Sequence, residues 1–116
     1  MEKLRVKRVE KLIKEIISEL ILTDEIKDPR IDKLVSIYDV SLSNDFKFAK
    51  VYTSFYGDAC IHENCVNALN HAAGFIQGRL GKKLKIKNIP KLTFIVDNSI
   101  ERGFRITQKL KELIIE

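Results

Sequence analysis

Cys60, His62, Cys65 and His71 are residue types that can hold a metal, and they fall within one short segment of the chain. Structural zinc sites pair their ligands as Cys-x2–4-Cys and His-x3–5-His. Here thiols and imidazoles are interleaved in a stretch that reads as helix, where residues five apart do not share a face. The spacing speaks against zinc, and His62 and His71 read as surface residues. Catalysis needs a nucleophile with a base, two poised carboxylates, a metal or a phosphate cradle. The chain has no Walker-type loop and no Gly-x-Gly-x-x-Gly. The acids Asp24, Glu25, Asp28 and Asp32 surround Pro29, where they serve loop geometry and solubility. The expectation is a protein that is not an enzyme, with no cofactor, no metal and no small-molecule substrate.

Charge distribution points to binding instead. Residues 73–91 carry Arg79, Lys82, Lys83, Lys85, Lys87 and Lys91 and no acid, whereas residues 24–72 carry five basic and eight acidic side chains. A concentrated basic segment on a balanced chain is the footprint of a phosphate-backbone binder. Arg79, Lys82 and Lys83 stand at i, i+3 and i+4 and share a helix face, which Lys85 and Lys87 extend past the helix end. Five such contacts predict that log K falls with log salt at a slope of roughly −3.5 to −4.5.

These residues must be positioned by elements that the hydropathy pattern outlines. Val9, Leu12, Ile13, Ile16, Ile17, Leu20 and Ile21 predict an amphipathic helix over 4–22 with that stripe in the core, ended before Asp28-Pro29. Residues 34–42 and 47–56 are β-rich, and Ser43-Asn44-Asp45 between them is turn chemistry, so an antiparallel hairpin follows. Val35 and Ile37 oppose Tyr38, Val40 and Leu42 in phase, which predicts a bulge near Asp39 or a strand covered on both faces. A helical pattern resumes by about residue 61, and Val66, Leu69, Ala73, Ile76, Leu80 and Leu84 keep helical spacing across Gly74. A glycine within an unbroken stripe costs about 1 kcal/mol relative to alanine, so it has a reason. The prediction is a break at Ala72-Ala73-Gly74, with Gly74 either admitting a phosphate backbone or permitting tight helix packing; valine at position 74 would then damage one or the other. A third strand over 92–97 and a short helix within 99–116 complete the order. Phe75 is assigned to the core, which leaves the basic segment without a base-stacking aromatic and predicts recognition of RNA shape. No run approaches the roughly 18 apolar residues of a membrane span, and the basic N-terminus leads into an amphipathic segment. The chain reads as cytoplasmic, one domain over 1–116 (core about 4–98, helical tail 99–116), with reduced thiols.

The α-β-β-α-α-β order with a sharp helix-to-helix junction resembles a type II KH domain, an α+β fold with a three-stranded sheet. KH modules carry Gly-x-x-Gly at that junction; this sequence has Ala72-Ala73-Gly74 there. An Ala-x-Gly kink is a mark of the ribosome-binding factor A family. The same family is resembled at Asp28-Pro29-Arg30-Ile31, Ala49-Lys50-Val51-Tyr52, Ala68 to Ile76, Leu92-Thr93-Phe94 and Asp97-Asn98-Ser99-Ile100-Glu101-Arg102-Gly103. The resemblance implies a monomeric cytoplasmic factor that binds the free 30S subunit and 16S rRNA, assisting late maturation and 16S rRNA processing in the cold. By position it implies RNA contacts at Ala72, Gly74, Arg79, Lys82, Lys83, Lys85 and Lys87. Lys7, Arg8, Lys11, Arg30, Asn70 and Arg102 are further candidates, although Arg30 and Arg102 can equally brace loops. His71 stands where the family has a basic residue, and the extended tail of longer relatives has no counterpart here. A general KH-type RNA-binding module, or a protein-interaction module with a basic face, is the alternative.

Overall fold

The computed structural model describes residues 2–84, 86 and 88–96; the tail expected over 99–116, with Arg102, and the side chains of Lys85 and Lys87 lie outside the described residues. The observed order is α1 (Glu2–Leu22), β1 (Val35–Leu42), β2 (Phe48–Phe55), α2 (Ala59–His71), α3 (Ala73–Leu84) and β3 (Lys91–Val96). In the sheet, β2 is central, antiparallel to β1 and parallel to β3.

Helix α1 turns Val6, Val9, Ile13, Ile17, Leu20 and Ile21 into the core. Leu12, expected there, is instead exposed, because it lies about 100° round the helix from the centre of that stripe. The helix ends at Leu22, well before Pro29, through a Schellman cap. Asp24 adopts φ 62°, its N–H donates to Ile21 O (3.3 Å), and the Glu25 N–H reaches back to Leu20 O (3.2 Å). That cap turns the chain so that Ile26 enters the core.

The register of β1 on β2 shifts between Ile37 and Asp39, where the phase change predicts it. The extra residue, Tyr38, is exposed, and Val35, Ile37, Val40 and Leu42 all face inward. With Ala49, Val51 and Thr53 of β2, and Leu92 and Phe94 of β3, they form one apolar face that the helices cover.

Each helix also sends a polar side chain to a sheet edge. On β1, the Glu10 carboxylate accepts from the Leu42 N–H at 2.7 Å. On β3, the Asn70 amide accepts from Phe94 N–H (2.7 Å) and donates to Phe94 O (3.0 Å), and Gln77 Oε1 accepts from Leu92 N–H at 3.3 Å.

Candidate nucleic-acid interface

The four metal-capable residues are not brought together. Cys60 is exposed in the first turn of α2, while Cys65 is buried and burial pushes its thiol pKa up. His71 is exposed at the other end of the helix. His62 is not the surface residue that its polarity suggests: it is only 5% exposed, tilted against the Phe55 ring. The Thr53 hydroxyl donates its hydrogen to Ile95 O (2.9 Å), so at 2.8 Å it accepts from His62 Nε2–H. Protonation would place a charge on a ring almost wholly withdrawn from water, and burial therefore holds the imidazole pKa below 6.5. Since the folded pKa is the lower one, the unfolded chain takes up more protons as pH falls below about 6.5. Stability is expected to fall between pH 7 and pH 5, and His62→Leu to flatten that fall in thermal melts. An equally steep profile in the variant would remove His62 as its cause.

The break between α2 and α3 is a single residue. Asp58 caps α2, accepting from the Cys60 N–H at 2.7 Å, and the helix runs to His71. Ala72 has φ −86° and ψ 4°, outside the helical well. Its N–H still bonds Ala68 O (3.0 Å), and its own carbonyl accepts from Ile76 N–H (3.0 Å). One residue thus closes a helix and opens the next, and the positive end of the α3 dipole lies at the kink.

Gly74 settles one alternative. A Cβ built there meets nothing within 4 Å, and φ is not positive, so neither packing nor backbone strain calls for glycine. Gly78, one turn on, is equally open. These glycines and Lys82 follow each other at i, i+4 and i+8, giving a strip of bare helix backbone that ends in an exposed lysine. Gly78-Arg79-Leu80-Gly81 is a Gly-x-x-Gly, but it lies inside α3, and a Cβ built at Gly81 would meet the Ile89 side chain at 3.3 Å. Gly74→Ala is expected to leave the thermal midpoint unchanged or raise stability by about 0.4–1 kcal/mol, while weakening RNA binding. A variant that binds as wild type would show that no RNA backbone comes close to residue 74.

Beside the strip stand Arg79, Lys82 and Lys83, with Ile76 and Leu80 buried beneath. Arg79 meets Glu25 at 3.9 Å, an exposed pair that is weak in water. Phe75 corrects the sequence reading: it is not core but 44% exposed, and the Arg79 guanidinium lies over its ring at 5.2 Å. Phe75 falls one residue off the Ala73–Ile76–Leu80 stripe, which is the signal that places it outside.

The further candidates divide. Lys7, Arg8 and Lys11 are exposed on α1, and among the described residues no hydrogen bond or ion pair ties them to α3. Arg30 is engaged in bracing its loop: Nε and Nη2 donate to the two Asp28 oxygens at 3.2 and 2.9 Å. The guanidinium holds the Asp28 carboxyl down at a pKa of about 2. Asn70 spends both ends of its amide on β3. Among the described residues, the candidates therefore converge from Ala72 along α3 to Lys83.

An α-β-β-α-α-β sequence, with a helix-kink-helix laid on a three-stranded mixed sheet, is the architecture of a type II KH-like domain. The family model for ribosome-binding factor A matches residues 5–110, and the chain belongs to that family. A curated ribosome-binding factor A from Dictyoglomus thermophilum is 42% identical over 112 residues, covering 97% of this chain and 92% of the relative. The crystal structure of ribosome-binding factor A from Thermus thermophilus is similar with a TM-score of 0.66 at 25% identity, covering 78% of this chain and 94% of that one. A homology model of the Thermus thermophilus factor, fitted into the cryo-EM map of a 30S complex, shares the fold with a TM-score of 0.64 at 24% identity, covering 78% and 93%.

Proposed function

We propose that this protein is a ribosome biogenesis factor that binds the free 30S subunit by contacting 16S rRNA, and so assists late maturation and 16S rRNA processing, above all at low temperature. The reading makes it a monomeric cytoplasmic protein, one domain over the whole chain, acting by occupancy without a reaction of its own. The observation that carries it is the bare Gly74–Gly78 backbone strip, leading from the Ala72 kink to Lys82 and Lys83, in a member of this family. Glycines that cost helix stability where a Cβ would meet no neighbour are accounted for by a partner that must approach the backbone. The partner's chemistry follows from the all-basic segment 73–91. The Thermus thermophilus factor, of the same family, has been placed in a 30S complex.

The contact set on this reading is Ala72, Gly74, Arg79, Lys82 and Lys83, with Lys85 and Lys87 continuing it. The test is co-sedimentation of the protein with small subunits, large subunits and joined ribosomes across a salt series. Retention on free small subunits alone, lost steeply as salt rises, is the expected result. Equal association with every particle would reduce the reading to a general basic KH-like module. Association with none would point to an acidic protein partner.

A further inference from the structure

We infer that Phe75 and Arg79 form a stacking seat for one unpaired RNA base beside the kink. The inference deepens the proposed function and rests on its reading that α3 faces rRNA. Helix α3 has an inward stripe at Ala73, Ile76, Leu80 and Leu84, yet its one aromatic side chain sits outside that stripe, with 44% of its surface in water. An aromatic ring left in that position forgoes the gain of burial. One turn later the Arg79 guanidinium lies 5.2 Å from the ring centroid, a cation–π arrangement. Its ion pair with Glu25 is long and exposed, so the guanidinium is free to follow an incoming plane. A groove bounded by Ile26, Asp28, His71 and Ala72 continues from the ring toward the loop after α1, and gives the base a wall to rest against.

The surroundings select the ligand. Aromatic faces and arginine planes are the surfaces on which RNA-binding proteins stack unpaired bases, and every base has a face to offer. Gly74 and Gly78 flank Phe75 on the outer side of α3 with no side chain to fend off a ribose-phosphate backbone. A strand whose base rests on Phe75 can therefore lie close to the helix and bring its next phosphates toward Lys82, roughly 10 Å farther along the axis. With Phe75 outside the core, recognition is no longer of RNA shape alone: one extruded base joins the phosphate contacts.

The chain contains no tryptophan, so Phe75→Trp installs a single reporter in the seat. Titration with hexa-adenylate is expected to quench its fluorescence saturably, while a hexamer of abasic ribose phosphates leaves it bright. Phe75→Leu keeps an apolar side chain without a stacking face. It is expected to weaken hexa-adenylate binding roughly fivefold to 150-fold, leave abasic binding unchanged, and retain the wild-type melting profile. Lys82→Ala with Lys83→Ala should weaken both oligomers alike. Equal quenching by the two hexamers, no quenching, or wild-type affinity in F75L would overturn the seat. The two readings fail separately. Wild-type protein that ignores small subunits defeats the rRNA assignment whatever the oligomers show, and F75L that co-sediments with small subunits as wild type defeats the seat alone.

Discussion

Replacing Lys82 and Lys83 together with alanine is expected to lower affinity for the small subunit by roughly tenfold to thirtyfold at about 0.15 M salt. Both side chains are exposed in the last turn of α3. If each neutralises one phosphate, removing both makes the log K against log salt plot shallower by about 1.4 to 1.8. The fold loses little, because the lysines contribute only about 0.3–1 kcal/mol each through the helix dipole, and salt screens even that. Lys82→Arg with Lys83→Arg keeps the charge and should restore the slope. An unchanged slope in the alanine variant would show that phosphates are met elsewhere.

The second large effect is on stability. Asn70→Leu should cost about 1–3 kcal/mol, because it strands the Phe94 N–H and carbonyl at the partly buried edge of β3. For a chain of this size that is a fall of roughly 5–15 °C in thermal midpoint. RNA binding measured well below that midpoint should stay at the wild-type level, since the amide is already committed to the strand. A variant that melts as wild type but binds weakly would reverse the assignment and make Asn70 an RNA contact.

Most of the fold is legible in the sequence because apolar phase carries it. The opposed phases of Ile37 and Val40 mark the bulge, and the unbroken spacing from Val66 to Leu84 places α2 and α3 on one core despite the break at Ala72. Leu12 fails at the margin of its stripe; the other readings that fail weigh residue type above phase. His62 stands at i, i+3, i+4 and i+7 with Cys65, Val66 and Leu69, all buried, yet its polarity suggests the surface. Phe75 is off the stripe, yet its apolarity suggests the core. What makes each placement work is tertiary and silent in a single sequence: the Thr53 hydroxyl that pairs with His62 comes from β2, and the groove beside Phe75 comes from the loop after α1. The openness above Gly74 and Gly78 is likewise invisible until the neighbouring elements are in place. The lone left-handed residue that ends α1 is a third case, since aspartate at position 24 reads as an ordinary loop acid.

The side chains that close the sheet edges bear on how this protein keeps company with other chains. An uncapped edge strand is a template for any extended polypeptide, including a second copy of itself. Here Glu10 occupies the Leu42 N–H of β1, and Asn70 and Gln77 occupy β3 at Leu92 and Phe94, so at those positions a visiting strand finds the hydrogen bonds already taken. The caps ride on the helices that cover the core, so those positions reopen only when a helix lifts away and the apolar face is bared with it. Strand addition at those capped positions is thereby tied to displacement of a helix from the core.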